Sequence, residues 1–239
     1  MSAPLFEINP SLDVADAADR FARTGRARIT DFLKPDGAEA LFTGLRSRSD
    51  WRRVINSGPD KVIELDRETS DSLTAEQRAR LDDAVYAGAR TGFQFRYETI
   101  RVPDEEEARR RSDDPLACYA LWLSSGPARD LLRQITGTQA IDFADAQGTA
   151  YGPGDFLTGH DDEVAGKGRY AAYVLGLTPI WRPEWGGLLV FHDADEFVAY
   201  PPSFNCLNLF RVPQLHSVSE VTRAAAYRRY SITGWLRSR

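Results

Sequence analysis

The sequence predicts an α+β chain, mainly β, with a helical N-terminal half packed against a C-terminal β-barrel. Two observations carry this. From Ile141 onward, short alternating apolar runs follow one another with turns between them, the spacing of a sandwich or barrel. Before that point, runs with apolar residues three and four apart dominate, the period of an amphipathic helix. At 239 residues without repeats or long low-complexity stretches, the chain is expected to be a single domain. Residues 1–140 supply a helical and sheet-supporting part, and residues 141–239 the β core.

Composition narrows the function classes. With 42% hydrophobic residues, the chain is long enough to bury a core without disulfide or metal staples. A net charge of −5 gives no sign of a general nucleic-acid binder. No apolar run reaches the roughly 18 residues of a membrane span, so no membrane partner is expected. The start, Met-Ser-Ala-Pro-Leu-Phe-Glu, lacks the basic and apolar regions of a signal peptide. The two cysteines, Cys118 and Cys206, form no CxxC, which fits a reduced, cytoplasmic protein.

The elements follow in order. Val14, Ala17, Ala18 and Phe21 mark a helix over Asp13–Thr24 that Gly25 stops. Arg26–Thr30 alternates as a strand, and a helix begins after Lys34-Pro35-Asp36 with Ala38, Leu41, Phe42 and Leu45 on its apolar side. Trp51–Asp66 reads as a hairpin turning at Asn56-Ser57-Gly58-Pro59. Thr74-Ala75-Glu76-Gln77 is a capping box, opening a helix whose core face is Leu81, Val85 and Ala89 and which ends near Gly92. Phe93–Ile100 alternates as a strand. Pro103–Pro115, with its three glutamates and three arginines, reads as a solvated loop or short exposed helix. Its functional alternative is a mobile lid that folds over a polypeptide substrate. Leu116–Thr136 is helical, broken at Ser125-Gly126-Pro127, with Leu121, Leu131, Leu132 and Ile135 in the core. Strands are then expected at Ile141–Gly148, Asp155–Thr158, Arg169–Leu177, Gly187–His192, Phe197–Pro201, Cys206–Arg211 and Arg229–Leu236.

The chemistry concentrates at residues 150–162, Ala-Tyr-Gly-Pro-Gly-Asp-Phe-Leu-Thr-Gly-His-Asp-Asp. His160 and Asp162 are two apart, and on a strand such residues share a face. Only two other histidines exist, His192 and His216. Two histidines and a carboxylate with open positions opposite mark non-haem Fe(II) oxygenases. His216 follows a strand and a turn and is the natural third ligand; His192, at a strand end, reads as structural or rim. Arg229, Ser231, Thr233 and Trp235 share one face of the last strand. An arginine there can fork a carboxylate with two parallel hydrogen bonds. The bland alternatives are ordinary: His160 capping a loop, Asp162 capping a helix, His216 a satisfied core histidine, Trp235 core, and Arg169 holding a backbone carbonyl.

The motif Tyr-x-x-Gly-Asp-Phe-Leu-x-x-His-x-Asp at 151–162, Glu184-Trp185-Gly186-Gly187-Leu188-Leu189, and His216-Ser217-Val218 followed by Arg229-x-Ser231-Ile232-x-Gly234-Trp235 resemble the Fe(II)- and 2-oxoglutarate-dependent oxygenases. Within them they are similar to the prolyl-hydroxylase-like branch, and most to stand-alone enzymes like the fungal ribosomal-protein prolyl hydroxylases. The resemblance covers about residues 141–239. It implies a double-stranded β-helix, a distorted jelly roll with helices on one sheet. It implies His160, Asp162 and His216 as iron ligands, and Tyr151, Arg229 and Ser231 as 2-oxoglutarate contacts. Arg228 points the other way, and Arg169 stands where related enzymes keep a substrate-side arginine. One departure is Gly176, where some relatives carry a second cosubstrate tyrosine; it implies a roomier pocket or a Tyr151 acting alone.

The implied reaction hydroxylates an unactivated C–H with Fe(II), O2 and 2-oxoglutarate, releasing succinate and CO2, with ascorbate as a further candidate cofactor. The expected substrate is a prolyl residue of a protein or peptide. A free amino acid or natural product is the alternative, and a non-catalytic jelly-roll binding module is the reading from a different class.

Overall fold

Among the described residues, thirteen strands, all paired antiparallel, form one sheet that curls on itself. A computed structural model describes residues 6–58 and 61–238 of the chain. Residues 1–5, including most of the N-terminal stretch read above for a signal peptide, and Pro59 of the hairpin turn lie outside the described residues.

In the N-terminal part, α1 (Val14–Thr24) starts where the Asp13 carboxylate accepts from the Asp16 amide at 2.9 Å and stops at Gly25, whose φ of 71° only glycine adopts without cost. It buries Ala17 and Phe21. Then come β1 (Arg26–Ile29), α2 (Pro35–Ser47), the hairpin β2 (Arg52–Asn56) and β3 (Val62–Asp66), and the short α3 (Arg67–Ser72), which the sequence pattern does not show. The Thr74–Gln77 capping box forms in both directions at the start of α4 (Ala75–Thr91), and Val85 is that helix's buried residue. Strand β4 (Phe95–Arg101) follows.

Residues 103–115 turn one of their charges inward. They hold α5 (Glu106–Arg110), and Arg109 within it is 1% exposed. Its guanidinium donates to the carbonyls of Pro103 at 2.6 Å and Ala144 at 2.9 Å and lies 4.4 Å over the Phe143 ring. The segment is the short, largely exposed helix expected, anchored at its centre by the buried Arg109. Helices α6 (Pro115–Leu123) and α7 (Gly126–Thr136) then separate at the expected break. Leu131, Leu132 and Ile135 are buried, whereas Leu121 is half-buried and its neighbours Ala120 and Leu123 face the core instead.

The expected strand Ile141–Gly148 is two strands, β5 (Phe143–Ala144) and β6 (Gln147–Tyr151). The break is at Asp145, whose carbonyl accepts from the Tyr173 hydroxyl at 2.7 Å and whose carboxylate pairs with Arg237 at 3.0 Å. The remaining strands are β7 (Phe156–His160), β8 (Arg169–Leu177), β9 (Leu189–His192), β10 (Phe197–Tyr200), β11 (Phe204–Arg211), β12 (His216–Val218) and β13 (Arg229–Arg237).

The order along the sheet is β1-β11-β8-β13-β6-β4-β7-β12-β9-β10, with β2 and β3 added through β4, and β5 on β13. This is the double-stranded β-helix: β8 and β13 run at the centre of one face, and β7, β12 and β9 form the other. Helices α1, α2, α6 and α7 cover the outside of the first face, and their apolar stripes (Phe21, Leu41, Leu45, Tyr119, Leu132) join Tyr173, Leu175, Leu209 and Ile232 in the main core. Helix α4 packs apart from them, against Ile55 of β2 and Phe156 of β7. A smaller core of Ala172, Val174, Leu189, Phe191 and Phe210 fills the inside of the curl and borders the site. Both cysteines are unpaired. Among the described residues, no helix is long and apolar enough to cross a membrane.

Candidate active site

β7 and β12 are neighbours, and His160 and His216 are directly opposite each other in the register. Their ring centroids are 4.2 Å apart. Asp162 does not reach them by strand alternation, as the spacing alone implies. The strand ends at His160, and Asp162 has a φ of 65°, in the left-handed region that aspartate tolerates better than most residues. That turn swings its carboxylate back, with oxygens 3.5 Å from each histidine Nε2. Asp161 is exposed and caps the Glu163 amide at 3.1 Å, away from the cluster.

The three ligand atoms lie within 4.8 Å of one another. Each imidazole is oriented by its other nitrogen. The Nδ1–H of His160 donates to the Thr158 carbonyl at 3.1 Å, and that of His216 to the Gln214 carbonyl at 2.8 Å. A carbonyl can only accept, so both rings present a bare Nε2. Burial, together with the neighbouring His160, pushes the His216 pKa down to about 4, so the ring is neutral at neutral pH. Burial alone would raise the Asp162 carboxyl, but the adjacent His160 and His216 outweigh it and hold the group below its ordinary range. Two imidazoles and a carboxylate whose ligand atoms all lie within 4.8 Å of one another fit a divalent cation.

Behind the triad runs a cavity of about 200 Å³. Arg229 on β13 and Tyr151 on β6 lie opposite each other in register and line its other end. The guanidinium is 4.9 Å from the Tyr151 ring and 4% exposed. Among the described residues no carboxylate pairs with it; burial lowers its pKa, and the only compensating influence is the Tyr151 hydroxyl. A buried, unneutralised cation is costly unless an anion completes it. Arg228, one residue earlier, turns the other way and bonds Glu98 at 2.9 Å. Ser231 is buried, its hydroxyl 2.8 Å from that of Thr149, and it is Thr149 that lines the cavity.

Gly187 explains the Gly186-Gly187 pair. Its φ is 63°, and a Cβ there would meet the Trp181 ring and Val221 at 3.1 Å and the Arg229 side chain at 3.4 Å. At Gly176 the pocket is not roomier: a Cβ would fall 2.4 Å from the Ser203 carbonyl oxygen, so backbone from the adjoining loop occupies that space. Nor does Tyr151 stand alone. Tyr97 of β4 stacks on it, centroids 5.1 Å apart and planes at 17°. Arg169 donates one N–H to the Asp162 carbonyl at 2.9 Å and lies 3.6 Å over the Trp235 ring. Trp235 lines the cavity, its indole N–H close to the Asp162 carboxylate but short of full hydrogen-bond geometry. His192 bonds Ser217 at 2.8 Å and is not part of the cluster.

Residues 146–237 match the family model of the 2OG-Fe(II) oxygenase superfamily. The match covers the strands that carry the histidine–aspartate cluster and Arg229. Over 152 residues the chain is 34% identical to mouse (Mus musculus) prolyl 3-hydroxylase OGFOD1, covering 60% of this chain and 27% of that protein. It is 32% identical over 122 residues to prolyl 3-hydroxylase sudestada1 of Drosophila melanogaster, covering 45% and 22%. The chain thus spans about a quarter of the length of these curated relatives. In fold it is similar to a Pseudomonas putida prolyl-4-hydroxylase, with a TM-score of 0.60 at 22% identity over 95% of this chain and 99% of that one. It is also similar to a Trichoplax adhaerens prolyl hydroxylase in complex with a hypoxia inducible factor oxygen degradation domain peptide, with a TM-score of 0.62 at 15% identity over 94% and 89%.

The cavity draws on residues that motif reading passes over. Phe93, Phe95 and Tyr97 lie outside the matched segment, yet all three line the cavity, and Phe93 packs against His160 at 5.5 Å. Their signal was present as three aromatics two apart at the start of the expected strand Phe93–Ile100, of which Phe93 precedes β4 in the structure; what the sequence does not say is that this face meets the metal cluster. Asp155 is also functional scaffolding. It is fully buried, accepts from the Gly152 amide at 2.8 Å, and pairs with Arg53 at 3.2 Å, so it shapes the turn between Tyr151 and His160.

Proposed function

We propose that the chain is an Fe(II)- and 2-oxoglutarate-dependent oxygenase that hydroxylates a prolyl residue of a polypeptide, with residues 1–239 acting as one catalytic unit. The observation that carries this is Arg229: a buried cation without a carboxylate partner among the described residues, lining the cavity whose other wall holds His160, Asp162 and His216. A ligand with a chelating head and a distal carboxylate satisfies both ends, and 2-oxoglutarate is such a ligand. Bound iron supplies the chemistry of oxygen reduction coupled to oxidative decarboxylation of 2-oxoglutarate to succinate and CO2, with hydroxylation of the substrate C–H.

The chain's own residues then have definite work. His160, Asp162 and His216 hold the metal from one side and leave the opposite positions free. Arg229 would receive the distal carboxylate, Tyr151 would lend its hydroxyl beside it, and Thr149 would supply a hydroxyl along the way, with Ser231 behind it holding the Thr149 hydroxyl. Leu157, Leu189, Val218 and Phe210 keep that stretch dry, which strengthens the charged contacts. Arg169 holds the Asp162 turn.

The substrate reading has two supports. Curated relatives are prolyl 3-hydroxylases, and one similar structure carries a polypeptide fragment. The cavity, about 200 Å³, is smaller than the roughly 300–1,000 Å³ of pockets that enclose small-molecule ligands. With the cosubstrate in that space, the substrate would meet the metal at the mouth, as an extended chain does. The unpaired cysteines fit a reducing, cytoplasmic setting.

The test is turnover of 2-oxoglutarate to succinate by the Fe(II)-loaded protein, alone, with proline-containing peptides, and with free amino acids. Peptide-stimulated succinate with a hydroxylated prolyl residue is expected. Stimulation by free amino acids only would replace the substrate, and absence of succinate in every arm would leave a binding module.

A further inference from the structure

A second cleft, of about 330 Å³, adjoins the cavity and shares Tyr97, Gln147, Thr233, Gly234 and Trp235 with it. Its charged walls are unbalanced. Four cations (Arg101, Lys167, Arg169 and Arg237) face two carboxylates, Asp104 and Asp145. Arg237 alone engages both carboxylates, at 2.8 Å and 3.0 Å. Arg101 is tied to Glu64 only by an exposed pair at 3.2 Å, the kind that contributes little. Lys167 has no side-chain partner among the described residues. Arg169 donates one N–H to the Asp162 carbonyl, while its Nε–H is buried without a partner. So in a chain of net charge −5, the cleft beside the metal cluster keeps a local positive surplus and an unmet donor.

We infer that this cleft is a subsite for a substrate carboxylate, held by Lys167 and Arg169, and that it selects polypeptides with an acidic residue close to the target residue. The inference rests on the polypeptide-oxygenase reading above. Position is its first support: Trp235 forms a wall common to both spaces, and Arg169 lies over that ring, so a chain crossing the mouth of the cavity enters the cleft within a few residues. Charge is its second: four cations line the cleft against two carboxylates, and Lys167 has no side-chain partner among the described residues. The carboxylate is that of an aspartate or glutamate side chain; a free chain terminus offers the same chemistry.

The experiment uses the full chain loaded with Mn(II) and 2-oxoglutarate. Short fluorescein-labelled peptides carry one central proline and, at each flanking position in turn, Glu, Gln or Lys, with an amidated terminus; a further arm is neutral with a free terminal carboxylate. Binding is read by fluorescence anisotropy. At one flanking position Glu is expected to bind about tenfold tighter than Gln, with the gap shrinking as ionic strength rises. Lys167→Glu is expected to reverse the preference toward the Lys peptide. Tight binding confined to the free-terminus arm assigns the subsite to a chain end. Equal binding in all arms, binding in none, or a Glu preference that survives in Lys167→Glu overturns the subsite. Hydroxylation of the same peptides with Fe(II) separates the two readings: acidic peptides that bind but are never hydroxylated remove the prolyl hydroxylase reading alone, and hydroxylation without charge preference removes the subsite alone.

Discussion

Tyr97 of β4 and Tyr151 of β6 stack face to face, 5.1 Å between centroids, so a residue from the N-terminal half braces the one that flanks Arg229. The stack stands in for the second tyrosine that Gly176 lacks. Aromatic pairs contribute about 0.5–1.5 kcal/mol beyond their buried area. Tyr97→Ala is therefore expected to raise the 2-oxoglutarate concentration at half-saturation about three- to tenfold, whereas Tyr97→Phe, which keeps the ring, stays near the parent value. Isothermal titration of the Mn(II)-loaded variants checks this; equal weakening in both would assign the effect to the hydroxyl instead.

Arg229 leads to a prediction with two opposed signs. Losing a charged hydrogen-bonded contact costs about 1.5–3 kcal/mol, or ten- to a hundredfold in 2-oxoglutarate affinity. Yet in the ligand-free protein this guanidinium is a buried charge without a carboxylate partner. Arg229→Met is thus expected to weaken 2-oxoglutarate binding and, at the same time, to raise the melting temperature of the ligand-free protein. Arg228→Ala has neither effect on the ligand; it breaks the 2.9 Å contact to Glu98 and lowers stability. Thermal melts with and without 2-oxoglutarate read both. A ligand-free Arg229→Met that melts well below the parent would mean the cation is satisfied in a way the contacts do not show.

Much of the site was legible because the ligands sit in short motifs: His160 and Asp162 two apart, and Arg229 on an alternating strand whose parity put Arg228 on the other side. The parts that were not legible depend on non-local placement. Asp162 meets the histidines through a left-handed turn, which a rule about strand faces cannot express. The closure of Gly176 depends on Ser203, which the sheet brings beside it across β8 and β11. Arg109, read as part of a solvated charge run, is buried because Phe143 and the Ala144 carbonyl happen to lie beneath it. A charge pattern cannot reveal a partner that folding delivers from more than thirty residues away.

The Asp162 turn separates charge from geometry. Asp162→Asn keeps a residue that tolerates the positive φ but loses the charge, and Asp162→Ala loses both. Both are expected to lose Mn(II) binding and succinate formation while the far-ultraviolet circular dichroism stays that of the parent. Asp161→Ala, whose carboxylate only caps the Glu163 amide, is expected to bind Mn(II) like the parent. Electron paramagnetic resonance of Mn(II) measures the free ion directly. Retained binding in Asp162→Ala would remove this residue from the metal site.

The last prediction concerns Asp155, buried under the turn that joins Tyr151 to His160. Burial raises its carboxyl to about 6 from an ordinary 3.8, against the opposing pull of Arg53, the Gly152 amide, Arg96 and Arg228. A carboxyl whose folded pKa is raised favours folding while it is protonated. That contribution is fully present below about pH 4 and is lost as pH rises through about 6. At about 1.4 kcal/mol per pKa unit the loss is on the order of 3 kcal/mol. Other groups titrate in the same window, so the parent curve alone is uninformative; the difference from Asp155→Asn isolates this carboxyl, because the amide does not titrate. The variant's stability relative to the parent is therefore expected to improve steadily from pH 4 to pH 7, in urea unfolding of the metal-free proteins. The absolute offset carries no weight, since Asn also changes the contacts with Arg53 and the Gly152 amide. Parallel curves across that window would mean the arginines keep Asp155 ionised throughout. The turn would then be held by charge pairing rather than by a carboxyl that burial has made reluctant to ionise.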